Sequence, residues 1–126
     1  MSKKIISTEL APSAVGTYSQ GIEVNGIFYF SGQIGLDPAT MNMAPDFKGQ
    51  LEQILKNIDG LLESQSLKRE NIIKTTVFMT DLAKFGQVNA AYENYFKAPY
   101  PARSTVQVSA LPKGAEIEIE VLASKN

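Results

Sequence analysis

The sequence predicts a two-layer α+β domain, a mixed sheet of about six strands with two helices packed on one face. Three observations carry this. Two segments repeat apolar residues at helical spacing, several short segments alternate apolar with polar residues, and an Asn-Gly dipeptide sits between two of the alternating runs. With 126 residues and no repeat, low-complexity tract or linker, residues 1–126 are expected to form a single domain. Two amphipathic helices cover only one face of such a sheet. Small two-layer domains often cover the other by pairing sheets between subunits, and a polar pocket at such a seam combines residues of two chains.

Residues 3–7 read as a short first strand. The following A-P-S-A-V-G-T-Y-S-Q-G stretch, with Pro12, Gly16 and Gly21, reads as a loop with Tyr18 at its middle. Tyr18 is either packing over the domain edge or the aromatic wall of a pocket. Segments 22–24 and 27–30 flank Asn25-Gly26, the dipeptide that tolerates the two positive φ values of a type I′ turn, so a β-hairpin is expected. Next comes Ser31-Gly32-Gln33-Ile34-Gly35, whose glycines allow close backbone approach; it is neither a dinucleotide nor a Walker motif. Residues 36–45 read as an irregular loop. A helix is predicted over 46–65 from the stripe Phe47, Leu51, Ile54, Leu55, Ile58, Leu61 and Leu62, with Asp46 as N-cap and Gly60 as a site of close packing. Residues 71–80 read as a strand rich in β-branched side chains. Asp81 then caps a second helix, predicted over 82–97, whose apolar row is Phe85, Val88, Tyr92, Tyr95 and Phe96. Asn89 lies beside that row, where an amide either faces solvent or reaches a pocket.

The final stretch, P-A-R-S-T-V-Q-V-S-A-L-P-K-G-A-E-I-E-I-E over 101–120, reads as two strands joined by a Pro/Gly turn. Alternation puts Val106, Val108 and Ala110 on one face and Arg103, Thr105, Gln107 and Ser109 on the other. It likewise separates Ile117, Ile119 and Val121 from Glu116, Glu118 and Glu120. One face is expected to be core and the other to carry the arginine with the three carboxylates, roughly 7 Å apart along the strand. Spacing alone leaves two readings open. One is a solvated sheet face crossed by a weak Arg–Glu pair; the other is a site where a guanidinium holds a substrate carboxylate and one Glu moves a proton.

Composition narrows the chemistry. The apolar fraction of 44% and charged fraction of 20% are globular values. A net charge of −1 without a basic run argues against a nucleic-acid surface. There is no cysteine and no histidine, which excludes disulfides, thiol nucleophiles and His-dependent triads and removes the two commonest zinc ligands. Oxygen-only Mg or Ca sites stay open by composition, though no D-x-D-x-D-G pattern is present, and no cofactor is expected. The N-terminal residues lack the apolar region of a signal peptide and no run is long enough to span a bilayer, so a cytoplasmic protein without membrane association is expected.

These blocks together, G-T-Y-S-Q-G at 16–21, S-G-Q-I-G-L-D-P at 31–38, K-T-T-V-F-M-T-D-L at 74–82, V-N-A-A-Y at 88–92 and the 101–120 stretch, resemble the Rid/YjgF/YER057c/UK114 family of reactive intermediate deaminases along nearly the whole chain. The resemblance implies a chorismate-mutase-like fold of the bacillus type, a homotrimer with active sites between subunits, and hydrolysis of a small 2-imino acid. The activity implied is that of a 2-iminobutanoate/2-iminopropanoate deaminase, which converts enamine/imine products of amino-acid dehydratases to 2-keto acids and ammonia. It assigns the substrate carboxylate to Arg103 and water activation to Glu118. Tyr18, Ser31, Gly32, Asn89 and Thr105 would contribute to substrate binding, Thr105 standing where several relatives carry Cys. These roles suit the side chains: a planar guanidinium grips a carboxylate through two parallel hydrogen bonds, and one carboxylate suffices to relay a proton during imine hydrolysis. The alternative is a non-catalytic, carboxylate-binding regulatory protein of the same fold.

Overall fold

The computed structural model describes residues 2–126. In chain order its elements are β1 (Lys4–Ile6), β2 (Gly21–Val24), β3 (Ile27–Phe30), α1 (Phe47–Ser64), β4 (Ile72–Met79), α2 (Phe85–Tyr95), β5 (Ala102–Gln107) and β6 (Ile117–Ser124). The strands form one six-stranded sheet in the order β1-β2-β3-β6-β4-β5. Neighbours are antiparallel except β4 and β5, which run parallel on either side of the α2 crossover. The expected two-layer α+β architecture is therefore the one found. No described helix is long and apolar enough to cross a membrane.

Several local expectations hold for the reasons that motivated them. Asn25 (φ 52°) and Gly26 (φ 82°) make the left-handed turn of the β2–β3 hairpin. Asp46 caps α1 by accepting a hydrogen bond from the Gly49 N–H at 2.8 Å, leaving fewer orphan donors in the first turn. Gly60 faces the Leu10 carbonyl so closely that any side chain there would overlap it. Ile54, Ile58 and Leu61 of α1 pack with Val88 and Tyr92 of α2 against Val77, Ile117, Ile119 and Val121 of the sheet.

Three expectations change. The second helix begins later, because Asp81 caps a separate 3-10 turn (Leu82–Lys84) through the Ala83 N–H, and α2 starts only at Phe85. The two C-terminal strands are not neighbours. After β5 the chain rounds the end of β4, where Val108 N donates to Met79 O and Thr80 N donates to Glu116 O, and β6 then inserts between β3 and β4. The third change concerns faces. Val77 is fully buried under the helices and pairs with Thr105, so the Arg103–Thr105 side of β5 turns toward α2. Val106 points the other way and is 43% exposed. The alternation in β5 is as read, but its polar side is the helix side, because β5 is an edge strand whose outer rim α2 covers only partly.

The face opposite the helices carries an apolar row. Ile5, Ile22, Tyr29 and Leu122 are successive cross-strand neighbours over β1, β2, β3 and β6. Ile5 is 71% and Tyr29 48% exposed. Glu118 and Glu120 stand on this same face, since each is flanked by buried Ile117, Ile119 or Val121.

Candidate active site

The residues singled out by the sequence fall into two groups, on opposite faces of the sheet. The first gathers around Glu118. Its carboxylate occupies the space above Gly32, where a Cβ would overlap Oε2, so any side chain at this position would force the Glu118 carboxylate to shift. Glu118 lines a cleft of about 420 Å³ with Tyr18, Ser31, Gly32, Pro112 and Lys113. Burial pushes the Glu118 carboxyl above the usual carboxylate range, and the charge of Glu120 adds to the effect. No cation of the described chain forms an ion pair with it.

Loop 8–20 forms the far wall of this cleft, and it is pinned rather than free. Gln20 is 4% exposed. Its Oε1 accepts from Thr8 N at 2.6 Å, and its Nε2 donates to the carbonyls of Thr8, Ala11 and Pro12 at 2.9, 3.2 and 2.8 Å. Ser31 donates its hydroxyl proton to Ser19 O at 2.6 Å, and its N–H bonds Gln20 O at 2.9 Å. Ser31 thus lines the cleft with lone pairs, its proton being committed to the loop. Tyr18, 52% exposed, accepts from Val15 N at 3.3 Å. It is a wall of the cleft, the second of its two sequence readings. Sequence reasoning missed Gln20; a lone amide in a Gly/Ser-rich loop was its only signal.

The second group gathers around Arg103. Its Nη1 donates to Asn89 Oδ1 at 2.8 Å, and its guanidinium carbon lies 4.9 Å from the Phe85 ring centre and 5.3 Å from that of Tyr92. Tyr92 is itself fixed by donating to Thr75 Oγ1 at 3.0 Å, and burial pushes its phenol up, so it remains neutral beside the arginine. One guanidinium nitrogen is thereby used for orientation while the rest of the fork stays available. Asn89 holds the arginine, and with Tyr92, Tyr100 and Arg103 it lines a second depression of about 390 Å³. Thr105 lies on the Arg103 side of β5, and its buried Oγ1 has no hydrogen-bond partner among the described residues. Phe85 and Tyr92, which set the arginine's plane, were read from sequence only as core.

Arg103 and Glu118 of one chain do not meet. Arg103 is level with Thr75 and Glu118 with Phe78, on either side of β4. Two strand spacings and three residues separate them, roughly 10 Å in each direction, and their side chains leave opposite faces. The expected common polar face is corrected here, and Glu116 departs from it too: its carboxylate pairs with Lys84 at 2.6 Å.

The fold is thus a small two-layer α+β domain with a half-buried carboxylate in one cleft and an oriented arginine on another ledge. Residues 8–125 match the family model described as "Endoribonuclease L-PSP". A "RutC family protein" of Aquifex aeolicus is 52% identical, over 95% of this chain and 98% of that protein. The "2-iminobutanoate/2-iminopropanoate deaminase" of Salmonella typhimurium is 46% identical, over 95% and 96% respectively. The crystal structure of the Rid-family protein YyfA from Yersinia pestis superposes with a TM-score of 0.95 at 50% identity, covering 98% of this chain and 99% of that one. The chain belongs to the Rid/YjgF family.

Proposed function

We propose that the protein is an imine deaminase that hydrolyses 2-iminobutanoate, 2-iminopropanoate and their enamine tautomers, in sites assembled between the subunits of a homotrimer. The observation that carries this is the division just described. Arg103 is oriented and open on one face, Glu118 is half-buried and without an ion-pair partner on the other, and within one chain the two groups do not meet. The exposed row through Ile5 and Tyr29 supports a second copy as the partner, because a subunit docked on that face would cover apolar surface and bring its own edge toward the Glu118 cleft. Relatives named as 2-iminobutanoate/2-iminopropanoate deaminases, at 43–46% identity, supply the reaction.

In this reading Arg103 of one subunit grips the substrate carboxylate and sets the C=N carbon beside Glu118 of the next. Glu118 accepts a proton from a water that adds to the carbon of the N-protonated imine, giving a neutral carbinolamine. Glu118 returns that proton to the nitrogen, and the C–N bond breaks with loss of ammonia as the carbinolamine hydroxyl gives its proton to Glu118 and becomes a carbonyl. A carboxyl group raised toward neutrality serves both directions of this relay better than an ordinary glutamate does. Holding substrate and water together supplies the remaining acceleration for a reaction that already proceeds in water.

The test is a coupled assay in which a threonine dehydratase generates the imine and 2-keto acid release is timed. Wild type accelerates release and Arg103→Ala does not. Equal rates with and without the protein, accompanied by thermal stabilisation on adding a 2-keto acid, would instead identify a non-catalytic carboxylate-binding protein.

A further inference from the structure

With the carboxylate on Arg103 and the imine carbon at Glu118, the substrate's own side chain can extend along the Glu118 cleft, which measures about 420 Å³ in the single chain. One cationic side chain lines that cleft. Lys113 occupies the first central position of a tight turn in which Ala115 N donates to Pro112 O at 3.1 Å. Both Lys113 (φ 57°) and Gly114 (φ 68°) are left-handed. Such a position favours Gly, Asn or Asp, and a lysine held there is strained. Met41 (φ 61°), a second left-handed residue, lines the same cleft, so backbone strain gathers at this site. Lys84 and Lys125 are paired, with Glu116 and Glu23, whereas Lys113 has no ion-pair partner among the described residues.

We propose that Lys113 is a subsite for a second carboxylate, carried on the substrate's side chain, so that the cleft also takes dicarboxylic 2-imino acids such as 2-iminosuccinate and 2-iminoglutarate. The inference rests on the imine-deaminase reading and deepens it. A single ammonium on a flexible stem can follow side-chain carboxylates of different length, which a rigid guanidinium fork does less well. It also draws that carboxylate away from Glu118, whose negative charge would otherwise repel it. The reaction is unchanged: water adds to the C=N carbon, ammonia leaves, and a 2-oxo dicarboxylate is released. At an exposed rim the pair is worth little in absolute terms, so Lys113 sets selectivity and not the rate of the chemical step.

The experiment compares two imines on the full-length protein, 2-iminobutanoate from a threonine dehydratase and 2-iminosuccinate from enzymatic oxidation of aspartate. Wild type should accelerate both. The ratio of kcat/KM for the dicarboxylate to that for the monocarboxylate should fall about fivefold in Lys113→Gln and about tenfold in Lys113→Glu, and stay within about twofold in Lys113→Arg. The wild-type ratio should also decline as salt is raised, as an exposed pair requires. A ratio unmoved by both neutral and acidic variants, or wild type that accelerates only the monocarboxylate, overturns the subsite. Failure to accelerate either imine overturns the deaminase reading itself, so the two failures are distinct.

Discussion

The Arg103 ledge and the Glu118 cleft are built by opposite means. The ledge is built by contact: Asn89 holds one nitrogen of the guanidinium, and Phe85 and Tyr92 set its plane, all from the helix that immediately precedes β5. The cleft is built by omission. Gly32 leaves out the atom that would displace Glu118, and a loop pinned by Gln20 stands back to form the far wall. A cation that must bind an anion tightly gains from a rigid fork already aimed. A carboxylate that must exchange protons gains from desolvation and from having no ion-pair partner. Placing the two on opposite faces of the sheet also prevents them from neutralising each other within the chain, which would pull the Glu118 carboxyl down and occupy the arginine.

The largest expected effects come from variants at Arg103 and Glu118. Glu118→Gln should lower kcat/KM about a thousandfold and Arg103→Ala about a hundredfold. If each site takes its arginine and its glutamate from different subunits, refolding the two inactive variants together should restore about a quarter of wild-type activity, since random mixing leaves one site in four with both groups. Sites contained within one chain would restore none. Gly32→Ala tests the cleft alone. The added methyl should displace the carboxylate by about 1 Å and cost about a hundredfold in kcat, with Arg103-dependent carboxylate binding retained.

Smaller effects follow from the raised Glu118 carboxyl. Activity that needs the carboxylate form should fall as pH drops through a midpoint above the usual carboxylate range, and a kcat/KM profile would locate it. The same shift has a sign for stability. A carboxyl raised in the folded state favours folding when protonated, so that contribution is present below the unfolded-state pKa and is lost as pH rises through the folded one. Glu118→Gln should therefore raise Tm relative to wild type at pH 7, and the difference should shrink in acid. The smallest effect belongs to Asn89→Ala, which frees one guanidinium nitrogen and should raise KM about threefold to tenfold with little change in kcat.

The endoribonuclease in the family model's description finds little support in this chain's composition. The net charge is −1 and there is no histidine, so the chain as a whole carries no excess of positive charge and lacks the imidazole of the usual acid–base pair.

The elements most legible in the sequence are those whose cause is local. Asn25-Gly26 makes its turn from two adjacent backbone preferences, Asp46 caps its helix three residues away, and the stripe from Phe47 to Leu61 is one face of a single helix. The side-chain alternation in β5 and β6 was equally plain. Which side of β5 would be covered was not, because that depends on β6 inserting between β3 and β4 and on where α2 lies, contacts made across tens of residues. The 101–120 stretch supplied both charged groups and their resemblance to a known family. Only the tertiary structure decided that they leave opposite faces of the sheet. Alternation has a period of two and specifies faces only relative to one strand; the absolute direction is set by what packs against that strand.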